Sequence, residues 1–162
     1  MKKITALLLL SIAFGCNSTK ETVSKNTTKT PFVWESANVY FLLLDRFQNG
    51  NPSNDNIIKR DKPTGPLRGF EGGDLRGIIQ KLDEGYFTNL GINAIWMTPV
   101  VEQIHGSVDE GTGNTYGFHG YWTKDWTAID PSYGTRADLK ELVDKAHARG
   151  VRIMLDAVIN HT

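Results

Sequence analysis

With one cysteine in 162 residues, the chain cannot close an intramolecular disulfide. Net charge is missing too: 18 basic and 18 acidic side chains cancel, which removes the long-range attraction that nucleic acid or an anionic bilayer would exert. We therefore expect no nucleic-acid partner and favour a neutral, polar ligand. Nor is there an apolar stretch long enough to span a bilayer, since the longest, residues 4–14, is too short.

That short run follows Lys2 and Lys3 and leads into Gly15 and Cys16, the layout of a secretory signal. The segment resembles a bacterial lipoprotein signal, in which Cys16 would be lipidated and become the mature N-terminus. Ordinary cleavage nearby is the alternative. We assign residues 1–16 to this signal and 17–31 to a disordered tether, because residues 17–30 hold only Val23 as an apolar side chain. The folded part is 32–162. The expected location is the periplasm, the outer membrane or the cell surface, with membrane contact only through the lipid on Cys16.

Apolar periodicity orders the folded part. Residues 39–44 form a continuous apolar and aromatic run too short for a helix, and we read them as a buried strand. Leu75, Ile78, Ile79, Leu82, Tyr86 and Leu90 recur at helical spacing, with Gly91 as the stop. Residues 92–97 read as a second strand, closed by Thr98 and Pro99. Thr135 is the expected cap of a second helix, with Asp138 as its reciprocal partner and Leu139, Leu142, Val143 and Ala146 facing inward. Gly150 ends that helix, and residues 151–155 form a third strand. Strand, helix, strand, helix, strand demands an α/β fold with parallel strands. A doubly wound dinucleotide sheet needs a tight glycine-rich turn into its first helix, whereas here a long loop with Pro52, Pro63 and Pro66 intervenes. We therefore expect the N-terminal portion of a (β/α)8 TIM barrel, its first three strands. Such a barrel takes about 250 residues, so this chain would be incomplete and would fold poorly in isolation.

In a barrel, every strand-to-helix loop opens on one face. The first loop carries Asn49, Asn51, Asn54, Asp55, Gly72 and Asp74, oxygen donors that suit calcium, or else form a plain turn. The second carries Tyr116, Phe118, His119, Tyr121, Trp122 and Trp126 among glycines, either a minor core or a platform on which sugar rings stack. The third strand delivers Asp156, Asn160 and His161. These are either a satisfied polar turn or part of a site.

Six segments together, "DRFQNGNPSND", "GGDLRGI", "LGINAIWMTPV", "YGFHGYW", "DPSYGT" and "DAVINHT", resemble the α-amylase family of glycoside hydrolases (family 13) over nearly all of residues 39–162. The form of the second loop is most similar to periplasmic, maltodextrin-degrading members. The resemblance implies a retaining enzyme acting on α-1,4-glucans such as starch and maltodextrin, monomeric when complete. It implies Ca2+ at Asn49, Asn51, Asn54, Asp55, the carbonyl of Gly72 and Asp74, and a second Ca2+ ligated in part by Asn160. It further implies substrate contact at His119, Tyr121 and His161, with Trp122 supporting Tyr121 and Asp156 organising the site. Asp156 and His161 as an acid/base pair is the alternative reading of the tail. The nucleophilic Asp, the acid Glu and a further Asp follow later strands in this family, so no catalytic residue is expected within the chain, and the chain alone should be inactive. A transglucosylase, or a lipid-anchored glucan-binding protein without catalytic acids, are the alternatives.

Overall fold

The computed structural model describes residues 31–161. The signal segment, Cys16, nearly all of the tether and Thr162 lie outside those residues. The chain divides into Met1–Phe32 and Val33–Thr162, and every element named below belongs to the second unit.

β1 (Val39–Leu42) leads through Leu43 into one helical turn, α1 (Leu44–Phe47). The strand therefore ends earlier than its apolar run, because Leu44 is buried in the core from a helical turn rather than from the sheet. After the long first loop, α2 (Leu75–Asp83) buries Leu75, Ile78, Ile79 and Leu82. Each such side chain contributes about 1.5–3 kcal/mol. The expected continuous helix breaks at Gly85, whose φ of 78° is left-handed, and a separate turn, α3 (Tyr86–Asn89), follows. Gly77 lies inside α2, where it would normally weaken a helix, but a Cβ there would fall 1.9 Å from the Gln48 carbonyl oxygen. Only glycine lets the chain after α1 pass so close.

β2 (Ala94–Met97) stops just before Thr98. The second loop, read in sequence only as a long aromatic loop, contains four strands. β3 (Val101–Gln103) pairs antiparallel with β6 (Thr123–Ile129), and β4 (Val108–Asp109) pairs with β5 (Asn114–Thr115). These strands are short or irregular and mostly half-buried or exposed, so they carry no clean alternation for a sequence reading to detect. α4 (Arg136–Ala148) then returns the chain to β7 (Arg152–Leu155).

β1, β2 and β7 form one parallel sheet in the order β1-β2-β7, with Val39 opposite Ala94 and Ala94 opposite Arg152. The core lies between this sheet and α2 and α4, where Leu42, Ile95, Met97, Phe87, Leu142 and Val151 join the α2 face. Among the described residues, no helix is long and apolar enough to cross a membrane.

The capping box is present: Thr135 Oγ1 accepts from Asp138 N and the Asp138 carboxylate accepts from Thr135 N. Thr135→Ala is expected to cost about 1 kcal/mol, read as a shift in the urea midpoint at unchanged slope. An unshifted midpoint would mean that solvent satisfies this helix end equally well.

Candidate functional site

Side chains from the second loop and from the exit of β7 meet at the same end of the sheet. Tyr121 Oη donates to Asp156 Oδ2 at 2.9 Å. His161 Nε2 lies 3.1 Å from the Tyr121 carbonyl oxygen, which makes that nitrogen the donor. His119 Nδ1 accepts from Tyr121 N at 3.0 Å, and its ring lies near-parallel to Tyr121 at 5.9 Å and edge-on to Trp122 at 4.6 Å. Thus His119, Tyr121, Trp122, Asp156 and His161, separated by up to 42 positions in sequence, form one contiguous group. Asn160 is exposed beside Trp126, Ile159 and His161 around a cavity of about 350 Å³.

The protonation state of His119 follows from its surroundings. Burial lowers its pKa below the usual 6.5, so the imidazole is neutral near pH 7. Because Nδ1 accepts a backbone N–H, the proton resides on Nε2, which is left as a donor for a hydroxyl oxygen. A depressed histidine pKa stabilises the fold fully above the unfolded value, and that contribution is lost as pH falls below about 6.5. Between pH 7 and 5 the thermal midpoint of wild type should therefore fall more than that of His119→Asn. Parallel decline of the two would remove His119 from the explanation.

The aromatic cluster divides. Tyr116 is core: it is buried, and its hydroxyl accepts from Lys62 N at 3.1 Å. Phe118 is covered by the Arg46 guanidinium at 3.9 Å. Tyr121 and Trp122 remain half-buried.

Support for this platform comes from buried polar residues that the sequence reading did not single out. Gln103 is fully buried. Its Oε1 accepts from Trp122 N at 2.8 Å, and its backbone N donates to Asp130 Oδ2 at 3.0 Å. Asp130 Oδ1 accepts from Ser132 N, and Tyr133 Oη donates to the Phe118 carbonyl at 2.7 Å. An isolated Gln or Asp in a loop carries no sequence signal of such a role, which depends on what folds over it. Arg60 is another: its guanidinium lies 3.4 Å over Phe70 and reaches Ser132 Oγ, while Nε and Nη1 are buried without an acceptor.

The first loop gathers its oxygen donors around Gly72, whose φ is 90°. A Cβ on Gly72 would fall 2.5 Å from Asn49 Nδ2 and 2.8 Å from Asp55 Oδ1. The Asp55 carboxylate accepts from Asn49 Nδ2 at 2.9 and 3.0 Å. Asn49 Oδ1 and Asn54 Oδ1 are both buried with no hydrogen-bond donor. A buried carbonyl oxygen without a donor costs about 1–3 kcal/mol, and two beside a carboxylate suit a hard cation. Among the described residues no three of His, Cys, Asp and Glu cluster as metal ligands, so any cation here would depend on amide and carbonyl oxygens.

Asp74 and Asn51 have further work. Asp74 is fully buried; its Oδ1 accepts from Gly50 N and Gly77 N, and its Oδ2 from Asn51 N and Asn54 Nδ2. It caps α2 and ties the loop to it. Asn51 Oδ1 accepts from Ser53 N and Ser53 Oγ. Asp45, also buried, accepts from the Glu71 and Gly72 backbone N–H groups, and burial raises its pKa to about 6 against the lowering effect of those bonds and of Arg46.

Residues 41–162 match the model of the α-amylase catalytic domain. The periplasmic α-amylase of Escherichia coli (strain K12) is 50% identical over 143 residues, covering 86% of this chain and 21% of that protein. The cyclomaltodextrin glucanotransferase of Bacillus sp. (strain 1011) is 35% identical over 170 residues, covering 99% of this chain and 23% of that one. Among solved structures, an Anoxybacillus α-amylase superposes with a TM-score of 0.65 at 39% identity, covering 82% of this chain and 26% of that chain. The chain thus spans about a fifth to a quarter of the length of these relatives. Its three parallel strands are the opening strands of a (β/α)8 barrel, and the chain belongs to the α-amylase family.

Proposed function

We propose that this chain is the amino-terminal part of an exported glycoside hydrolase that cleaves α-1,4-glucosidic bonds in starch or maltodextrin with retention. Its own residues bind and orient the sugar at the bond to be cleaved. The observation that carries this reading is the convergence of Tyr121, His119, Asp156 and His161 at the sheet end. Tyr121 offers a ring face, His119 offers its Nε2 donor to a hydroxyl oxygen, and His161, whose Nε2 donates to the Tyr121 carbonyl, presents Nδ1 to a sugar hydroxyl. Asp156 holds the Tyr121 hydroxyl, and so fixes the ring rather than attacking the sugar.

Retention needs two carboxyl groups about 5 Å apart across the bond, one nucleophile and one acid. We expect these from strands beyond β7. The chain's residues would act by holding the sugar in the geometry that the transition state needs, through hydrogen bonds that strengthen there. Export is supported by the periplasmic E. coli relative, with Cys16 as the proposed lipid attachment. Asn49, Asn54, Asp55, Asp74, Asn51 and the Gly72 carbonyl would hold Ca2+, and Asn160 would contribute to a second ion. Bound calcium would supply rigidity to the loop and take no part in bond cleavage.

The test is maltoheptaose digestion by a protein joining this chain to the remaining barrel strands. Short maltooligosaccharides with the α-anomer formed first support hydrolysis with retention. Cyclic products or chains longer than the substrate would indicate transglucosylation, the second reading, which the glucanotransferase relatives favour. Binding without turnover would indicate a non-catalytic glucan-binding protein. The 162-residue chain itself should release no reducing sugar from starch.

A further inference from the structure

The dipeptide Asp45–Arg46, just past β1, touches both candidate sites. On one side the Asp45 carboxylate accepts from Glu71 N at 3.0 Å and Gly72 N at 3.3 Å, and the Asp45 carbonyl accepts from Gly73 N at 2.7 Å. These bonds fix the backbone that presents the Gly72 carbonyl to the oxygen cluster. On the other side Arg46 Nη2 donates to the carbonyls of Leu67 at 2.9 Å and Gly69 at 2.6 Å. The same guanidinium lies 3.9 Å over the Phe118 ring, which meets the His119 ring edge-on at 5.3 Å. Asp45 and Arg46 are themselves joined, Oδ2 to Nε, at 2.8 Å.

The segment between these anchors is under strain. Leu67 is the only non-glycine residue with positive φ among the described residues, at 58°, and it is 76% exposed. A leucine adopts that conformation only where its surroundings hold it, and here Arg46 grips its carbonyl. Loss of that grip would remove what holds residue 67 in this conformation.

We propose that Arg46 is a positioning residue that couples the oxygen cluster to the sugar platform: a divalent cation that orders residues 67–73 also fixes Phe118 and His119, so cation and α-glucan each tighten the other's binding. This rests on the proposed function for both sites. Arg46 donates to both carbonyls through Nη2 while the flat face of its guanidinium covers the ring, a stacking surface that a lysine ammonium lacks.

The experiment is calorimetric titration of a protein joining this chain to the remaining barrel strands, its later catalytic carboxylates replaced by amides to prevent turnover, with maltoheptaose with and without saturating Ca2+, and with Ca2+ with and without maltoheptaose. In wild type, each ligand should lower the other's Kd by the same factor, at least about fivefold. In Arg46→Met the two maltoheptaose affinities should converge, and Arg46→Lys, which keeps the charge without the fork, should recover little of the difference. Phe118→Leu keeps the loop clamp and removes the ring, so it should also abolish the mutual effect and carries the test if Arg46→Met does not fold. Independent binding of the two ligands to wild type would overturn the coupling while leaving both sites standing. So would a mutual effect that survives in Phe118→Leu and in any folded Arg46→Met. If wild type binds neither ligand, the reading of the sites falls, and this inference with it.

Discussion

Asp74→Ala is expected to lower the unfolding free energy by about 3–5 kcal/mol, whether or not a chelator is present. The Asp74 carboxylate is wholly buried and accepts from three backbone N–H groups, of Gly50, Asn51 and Gly77, besides Asn54 Nδ2. Each backbone donor left unpaired costs about 1–3 kcal/mol, and a methyl group cannot replace any of the bonds. The loss includes the cap of α2, whose buried face supplies four residues of the core.

Asp55→Ala supplies the contrast. Asp55 is paired within the described residues only to Asn49 Nδ2, so its removal should spare the fold in chelator and remove calcium stabilisation. That stabilisation is about 2.7 kcal/mol when the ion is at a hundred times its Kd. Urea denaturation with Ca2+ and with EDTA separates the two roles. Wild type should lose stability in EDTA, Asp55→Ala should be insensitive to it, and Asp74→Ala should be the weaker in both. An EDTA-insensitive wild type would remove the cation from the first loop. An Asp74→Ala variant matching wild type in EDTA would remove the structural role of that carboxylate.

Tyr121→Ala should weaken maltoheptaose binding by about 2–4 kcal/mol, roughly 30- to 1000-fold, the range of a central aromatic anchor. Tyr121→Phe isolates the hydroxyl. It keeps the ring but leaves Asp156 without its 2.9 Å partner, and should cost about 1 kcal/mol, near fivefold. The ordering Tyr, Phe, Ala, measured by titration at fixed pH, distinguishes a stacking surface from a purely hydrogen-bonding one. Equal loss in the Phe and Ala variants would make the hydroxyl the binding element. No loss in either would place sugar binding elsewhere.

Much of the fold was legible in sequence because its elements are periodic. The α2 face, the capping box at Thr135, and the stops at Gly91 and Gly150 each follow from local rules, and the structure has all of them. The break at Gly85 was not legible, because a glycine inside a helical pattern is ambiguous until its φ is known. The four strands of the second loop were hidden for a related reason. Their partners lie up to 28 positions away, and no buried face imposes alternation on them.

Within the candidate site, residue types were legible and their division of labour was not. Aromatic residues and glycines marked the second loop, yet nothing local distinguishes Tyr116, which is core, from Tyr121, which meets Asp156. Asp74 read as a cation ligand and is also a helix cap, since a carboxylate has two oxygens and the fold brings four donors to them. Gln103 gave no signal of its own, because a buried polar side chain looks in sequence like an exposed one, and Asp130 and Arg46 entered only as members of the family segments, without a role.

By itself, then, the sequence determined the α/β order of the elements, through apolar period and caps that act over a few residues. It determined the family as well, through six short segments read together. Tertiary structure alone decided which side chains meet. Bringing His119 and Tyr121 to Asp156 and His161 depends on loop closure across the parallel sheet, and leaving Asn49 Oδ1 and Asn54 Oδ1 without donors depends on burial. Both are properties of contacts between segments remote in sequence, which no local rule encodes.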